Sequence, residues 1–379
     1  MLTSKLPHVG TTIFTVMSKL AAEYGALNLS QGFPNFEASP ALISLVSKYM
    51  QLGHNQYAPM AGSVELREAI AKKVNDLYRV DYNPETEITV TSGATEALYA
   101  AITAIVKPGD EVIVFEPAYD SYVPAIELNG GKPVYVTLQA PQFKIDWQEV
   151  RSKINPCTKL IIVNTPHNPA TTVFSANDLE ELAKCVDQTN AYVLADEVYE
   201  HIVFDGYQHH SVLTNAILRQ RSFVVGSFGK TFHVTGWKIG YCLAPEFLTA
   251  EFRKVHQYLT FCSNTPVQLA FAEFLQNPDH YNGVSAFYER KRNLFLNAIK
   301  HSRFTYEPSK GSYFQNLSYA NITNENDYDL AIRLTKEIGV AAIPVSVFYH
   351  QKNDYKTLRF CFAKDDETLI EAGRRLSGI

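Results

Sequence analysis

Short β-branched runs alternate with helix-periodic stretches through the middle of this chain, and that alternation narrows the possible folds to one class. The runs Glu87–Thr91, Glu111–Phe115, Pro133–Thr137, Lys159–Val163, Tyr192–Ala195 and Ser222–Val225 are short and rich in Val and Ile. They read as buried strands of a mostly parallel sheet. Between them lie amphipathic stretches. Leu66, Ile70, Val74 and Leu77 form one apolar stripe behind an N-cap candidate, Ser63. Ser175 with Asp178 has capping-box spacing ahead of Leu179, Leu182 and Val186. This pattern specifies an α/β fold of layered helices and sheet, with right-handed crossovers. The last hundred residues differ: a helical stretch at Phe287–Ile299, strand runs at Tyr313–Leu317 and Thr357–Phe362, then a capped helix at Asp365–Leu376. At about 150 residues per domain, the 379 residues are expected to divide into a large α/β domain over 46–280 and a smaller α+β domain over 281–379. Residues 1–45 form an N-terminal arm beside that small domain.

Charge and cysteine content exclude several functions. The 34 basic and 39 acidic residues leave a net charge of −5, which gives no electrostatic case for nucleic acid. The most apolar run, Ala97 to Val106, is interrupted by Tyr99 and Thr103 and falls well short of the roughly 20 residues a membrane helix needs. The stretch Met1 to Pro7 lacks the apolar core of a signal peptide. Cys157, Cys185, Cys242, Cys262 and Cys361 include no C-x-x-C pair, so neither a disulfide framework nor a metal site is expected. His209 and His210 are adjacent, but no other ligand stands at metal-binding spacing, so both read as surface or loop histidines. A cytoplasmic protein is the expectation.

In open α/β sheets, ligands collect beyond the carboxyl ends of the strands. The residues following each run are therefore the candidates. Ser92-Gly93-Ala94-Thr95 is a small-residue turn opening a helix, which suits either a plain turn or a phosphate on helix N–H groups. Asn164-Thr165-Pro166-His167-Asn168-Pro169 is a loop stiffened by two prolines, which aims Asn168. Asp196-Glu197-Val198-Tyr199 puts a carboxylate at a buried strand end, either as a helix cap or facing a cationic partner. Gly226-Ser227-Phe228-Gly229-Lys230-Thr231 is not a Walker A loop, because Val224 stands where the first glycine belongs. It also lacks the companion boxes of a serine β-lactamase. What remains is a lysine on a Gly-flanked turn, where desolvation lowers the amine pKa. A phosphate cradle, an amide, a carboxylate with a phenol, and an amine together match what pyridoxal phosphate requires.

With these segments in order, the chain resembles the pyridoxal-phosphate-dependent class I/II aminotransferases of fold type I over essentially its whole length. Asn28-Leu29-Ser30-Gln31-Gly32-Phe33-Pro34, Asn55-Gln56-Tyr57-Ala58-Pro59 and the four strand-end segments above carry the match. Within the family it looks most like the bacterial methionine aminotransferases, near the kynurenine and glutamine transaminases. The resemblance implies a seven-stranded, mostly parallel sheet between helices. It implies Lys230 as the Schiff-base lysine, Asp196 as partner of the pyridine nitrogen, and Asn168 and Tyr199 on the phenolic oxygen. Tyr119 would stack on the ring. Gly93, Ala94, Thr95, Ser227 and Lys238 would hold the phosphate, and Tyr57 would reach it from the other subunit of a homodimer. Arg359 would clamp the substrate carboxylate, assisted by the Gly32 backbone. Lys238 stands where many relatives carry arginine, which keeps the charge and loses the fork geometry.

The implied activity is a ping-pong transfer of an amino group from an uncharged or aromatic L-amino acid, methionine preferred, to a 2-oxo acid, with Lys230 as general base. No motif supplies a second guanidinium for a side-chain carboxylate. The alternative is a kynurenine/glutamine-type transaminase with cysteine-S-conjugate β-lyase activity. A pyridoxal-phosphate-sensing transcription regulator would need a DNA-binding domain, and the residues before Thr11 leave no room for one.

Overall fold

A computed structural model describes residues 3–379, so Met1 and Leu2 of the N-terminal stretch read above lie outside the described residues. In chain order its strands are β1 (Leu27–Asn28), β2 (Ile88–Thr91), β3 (Glu111–Glu116), β4 (Lys132–Thr137), β5 (Thr158–Asn164), β6 (Tyr192–Asp196), β7 (Ser222–Ser227), β8 (Gly240–Leu243), β9 (Phe314–Ser318), β10 (Val340–Ala341), β11 (Ile343–Pro344) and β12 (Thr357–Cys361). Seven of them form one sheet in the order β2-β8-β7-β6-β5-β3-β4. Only β8 runs against its neighbours, β7 and β2. It was not among the runs read from the sequence: Gly240-Tyr-Cys-Leu is four residues long and carries no β-branched side chain.

Period-two alternation explains why these runs are apolar throughout. Val112, Val114, Leu160, Ile162 and Leu194 enter one core, while their neighbours Ile113, Phe115, Ile161, Val163 and Val193 enter a second. Each strand thus feeds apolar layers on both faces of the sheet. On the first face packs the helix Gly93–Ile105, whose Ala97, Ala100 and Ala101 are buried. On the second face are Val64–Tyr78 and Ala176–Asp187. Both helices begin as the sequence indicated: the Ser63 side chain accepts from Leu66 N–H, and Ser175 and Asp178 form a reciprocal capping box.

The remaining strands gather the two ends of the chain. β11, β12 and β9 form an antiparallel sheet. β1 pairs in parallel with β10, and Cys361 N–H donates to Leu29 O. The loop carrying Gly32 is thereby fastened beside the strand carrying Arg359.

A buried ionic group locks the turn after β6. Lys73 Nζ lies 2.6 Å from Glu200 Oε1, their side chains 3% and 8% exposed. The hydroxyls of Tyr241 and Tyr78 both donate to Glu200 at 2.8 Å. Burial raises the Glu200 pKa, but Lys73 and His201 outweigh it and hold the carboxyl well below its ordinary range. Gly226 makes this possible, because a Cβ there would collide with the Tyr241 ring. Lys73→Met is expected to cost about 3–5 kcal/mol, since it strands a buried charge, whereas Lys73→Met with Glu200→Leu costs less. Urea unfolding midpoints check this, and equal losses in both variants would contradict it.

Candidate active site

The parallel strands end at one edge of the sheet. Asn164 is opposite Asp196, and Asp196 is opposite Val225. Beyond that edge lies a cavity of about 190 Å³. Gly93, Ala94, Thr95, Tyr119, Asn168, Asp196, Tyr199, Ser227, Lys230 and Lys238 all line it. From Gly93 to Lys238, these ten sequence candidates span 145 positions of the chain.

At one end of the cavity is the start of the helix Gly93–Ile105. Ser92 makes no side-chain cap there, which leaves first-turn N–H groups for another acceptor. Gly93 has φ +74°, and a Cβ on it would sit 3.1 Å from Lys238 Nζ. The lysine amine therefore lies beside Gly93 at the helix start. Lys238 itself is left-handed, at φ 54°. A Cβ on Gly240 would meet Ala94 N at 2.9 Å, so only glycine lets β8 approach this turn.

In the middle of the cavity sit Asp196 and Lys230. Burial raises the Asp196 pKa to about 6 against the pull of Tyr122, Val198 N–H and Lys230. Asp196 is not a helix cap: it ends β6, and Oδ1 accepts from Val198 N–H at 3.3 Å in a turn. Burial lowers the Lys230 pKa to about 8; Lys238 and Arg359 repel its charge, while Asp196 favours it. Lys230 Nζ donates to the Tyr313 hydroxyl at 2.8 Å and reaches the Gly32 carbonyl at 3.4 Å. The Tyr313 hydroxyl in turn donates to Gly32 O. Burial keeps Tyr199 and Tyr313 protonated. Asn168 is fixed at both ends: its N–H donates to Asn164 Oδ1 at 2.7 Å, and its Oδ1 accepts from Arg359 Nη1 at 2.6 Å.

Arg359 is 1% exposed, and its guanidinium lies 4.0 Å from the Phe314 ring centre. Nη2 donates to Ser30 O at 3.3 Å, while Nε has no partner. Burial lowers its pKa to about 10, so it stays charged at neutral pH. A buried guanidinium with an unspent donor is incomplete without an acceptor.

Tyr57 stands apart from this group. It is 83% exposed and packs edge-on against Phe261 at 5.4 Å. His209 is a loop residue, as read, and its side chain turns inward and meets Glu197 Oε2 at 2.9 Å.

Two residues of the site escaped the sequence reading. Tyr313 contacts Lys230 across 83 residues of chain, and Tyr122 contacts Asp196 across 74. Among 22 tyrosines, no local signal singles out either. Their pairing is a consequence of the fold.

The residues fit pyridoxal phosphate on three grounds. The uncapped helix start with a lysine beside it suits a phosphate. A buried carboxylate suits a pyridine nitrogen. A desolvated amine in the same cavity suits an aldehyde.

Comparison with known proteins agrees with the geometry. The family model for aminotransferase class I and II matches residues 24–376. The chain is 50% identical to methionine aminotransferase of Escherichia coli over 374 residues, covering 98% of this chain and 97% of that one. It is 36% identical to a kynurenine–oxoglutarate transaminase of Dictyostelium discoideum, covering 96% and 93%. The crystal structure of YbdL from Escherichia coli, which identified a methionine aminotransferase function, superposes with TM-score 0.98 at 49% identity over both whole chains. Strand-end chemistry, fold and sequence relationship converge, and the chain belongs to the class I and II aminotransferases, enzymes that work with pyridoxal phosphate.

Proposed function

We propose that this aminotransferase takes uncharged or aromatic L-amino acids as donors, with methionine foremost, and passes the amino group to a 2-oxo acid. One observation carries the substrate preference: among the described residues no arginine lines the cavity itself, and Arg359 reaches it through Asn168, one of the lining side chains. Arg359 serves the α-carboxylate, so a donor with a second carboxylate finds no cation for it. Asp120, exposed beside Tyr119 and electrostatically coupled to Arg359, further disfavours acidic side chains. The 50% identity to a methionine aminotransferase supports the same choice. The test is a donor panel of methionine, phenylalanine, tyrosine, kynurenine and aspartate against several 2-oxo acids. Methionine is expected to exceed aspartate in kcat/KM by about 100-fold, the cost of leaving one charge unpaired. A preference for aspartate would overturn the reading.

In this reading each side chain has a task. Gly93, Ala94, Thr95, Ser227 and Lys238 would hold the phosphate. Asp196 would serve the ring nitrogen, Asn168 and Tyr199 the phenolic oxygen, and Tyr119 would cover the ring. Pyridoxal phosphate, when bound, supplies an aldehyde for the amine and a ring that accepts the electron pair left at Cα. Arg359 and the Gly32 backbone fix the substrate carboxylate, which orients the Cα–H bond. Lys230 Nζ takes the Cα proton, a task that a pKa near 8 suits at neutral pH. Tyr313 docks that amine when it is free. The first oxo acid leaves before the second enters.

The reading includes a homodimer in which Tyr57 completes the neighbour's phosphate site. An exposed apolar patch of Tyr57, Tyr258, Leu259 and Phe261 supports it. It also takes 46–280 as the large domain, with 1–45 and 281–379 forming the arm and small domain, and places the enzyme in the cytoplasm. Five free cysteines accord with a reducing compartment. No described helix is long and apolar enough to cross a membrane.

A further inference from the structure

Tyr122 opens the short helix Tyr122–Leu128, and its hydroxyl donates to Asp196 Oδ2 at 2.6 Å between two buried side chains. A bond of this length to a carboxylate is charge-assisted and strong. The other oxygen, Oδ1, receives only the longer 3.3 Å contact from Val198 N–H. One half of the carboxylate is thus tightly held while Asp196 still lines the cavity. Tyr122 does not line it, so any effect of Tyr122 on chemistry passes through Asp196. The Tyr119 ring packs edge-on against Tyr122 at 5.6 Å, which fixes the direction of the phenol. Burial and the neighbouring Asp196 charge hold Tyr122 protonated at every working pH, so its role as donor does not switch.

We propose that Tyr122 is a positioning residue for transamination, which keeps Asp196 ionised and turns its more loosely held oxygen toward the ring nitrogen of the cofactor. The proposal rests on the reading of Asp196 given above. The groups facing Asp196 are Tyr119 ahead of the short helix, Tyr122 at its start, Glu197 and Tyr199 on its own turn, and Lys230 beyond β7. Asn164 donates only to its backbone carbonyl. Burial and Glu197 favour the neutral acid, while Tyr122, Val198 N–H and Lys230 favour the carboxylate. Removing the Tyr122 hydroxyl therefore raises the Asp196 pKa. A carboxyl that stays protonated to higher pH is a neutral partner for the ring nitrogen over more of the working range, and the acidic limb of activity moves upward.

The experiment compares the holoenzyme with Tyr122→Phe, Asp196→Asn and the double variant. It reads dissociation constants for pyridoxal phosphate, pH profiles of kcat with methionine, and melting temperatures. Phenylalanine fills the space of the tyrosine ring and removes only the hydroxyl. Tyr122→Phe is expected to weaken pyridoxal phosphate binding by about tenfold and to shift the acidic limb upward by about one pH unit. In the Asp196→Asn background the same change is expected to alter cofactor binding less than about twofold, because the group it acts through is gone. An equal effect in both backgrounds, or a lower melting temperature with an unmoved acidic limb, assigns Tyr122 a packing role and overturns the proposal. Impaired Asp196→Asn beside a normal Tyr122→Phe overturns it too and leaves the reading of Asp196 standing. Normal cofactor binding and turnover in Asp196→Asn removes that reading, and this proposal with it.

Discussion

Lys230→Ala is expected to lower kcat by about 10⁴-fold, the upper end of what a single acid–base group contributes. It should retain pyridoxal phosphate non-covalently. The argument is local and electrostatic. The amine sits in a buried cavity where desolvation has already brought its pKa to about 8, so near neutrality an appreciable fraction is the free base. Its contacts are a phenol and a backbone carbonyl, and among the described residues it forms no ion pair that would hold it as a spectator charge. Alanine removes the base and leaves the phosphate cradle around Gly93 and Lys238 intact. The same reasoning predicts a melting temperature at or above the parent's, because a desolvated amine is a cost to the folded state. Steady-state assays, the visible spectrum of the purified variant and thermal melts test these statements together. Turnover near the parent's rate would rule out Lys230 as the base.

Arg359→Gln is expected to lower kcat/KM for methionine by about 10²- to 10³-fold, equivalent to about 3–4 kcal/mol for one partner of a buried charged pair. Most of the loss should fall on KM, since the α-carboxylate is held in ground state and transition state alike. Arg359→Lys should recover only part of it. A lysine restores charge, but it cannot donate simultaneously to Asn168 Oδ1, Ser30 O and a substrate carboxylate in the planar arrangement that Arg359 holds against Phe314. Steady-state kinetics with methionine and its oxo acid measure the effect, alongside cofactor binding by dialysis. Unchanged KM values in Arg359→Gln would place the carboxylate site elsewhere.

Much of this site was legible along the chain because its parts are local. A buried strand must run through apolar residues on both faces and must end somewhere, so the first polar residue after each run marks the sheet edge. That rule pointed to the segments that hold Gly93, Asn168, Asp196 and Lys230 without any contact being known. Boundaries moved by a residue or two, as with β2, which begins at Ile88 rather than Glu87, and β7, which extends to Ser227. β8 was missed because four residues with glycine at their head and no β-branched side chain do not register as a strand, although they carry the only reversed strand of the sheet. The partner of the loop residue His209, Glu197, was not legible for a similar reason: it is set by how a loop folds back rather than by spacing.

Read by itself, the sequence determined the class of fold, through periodicity and residue type within short windows, and the family to which the chain belongs, through the resemblance of its motifs. It also pointed to strand ends as candidates for chemistry. Only the tertiary structure decided which groups face one another. Tyr122 on Asp196, Tyr313 on Lys230 and Arg359 on Asn168 join residues 74, 83 and 191 positions apart. Such pairings set proton affinities through desolvation and hydrogen bonds, and both depend on distances in space that neither composition nor spacing along a chain contains.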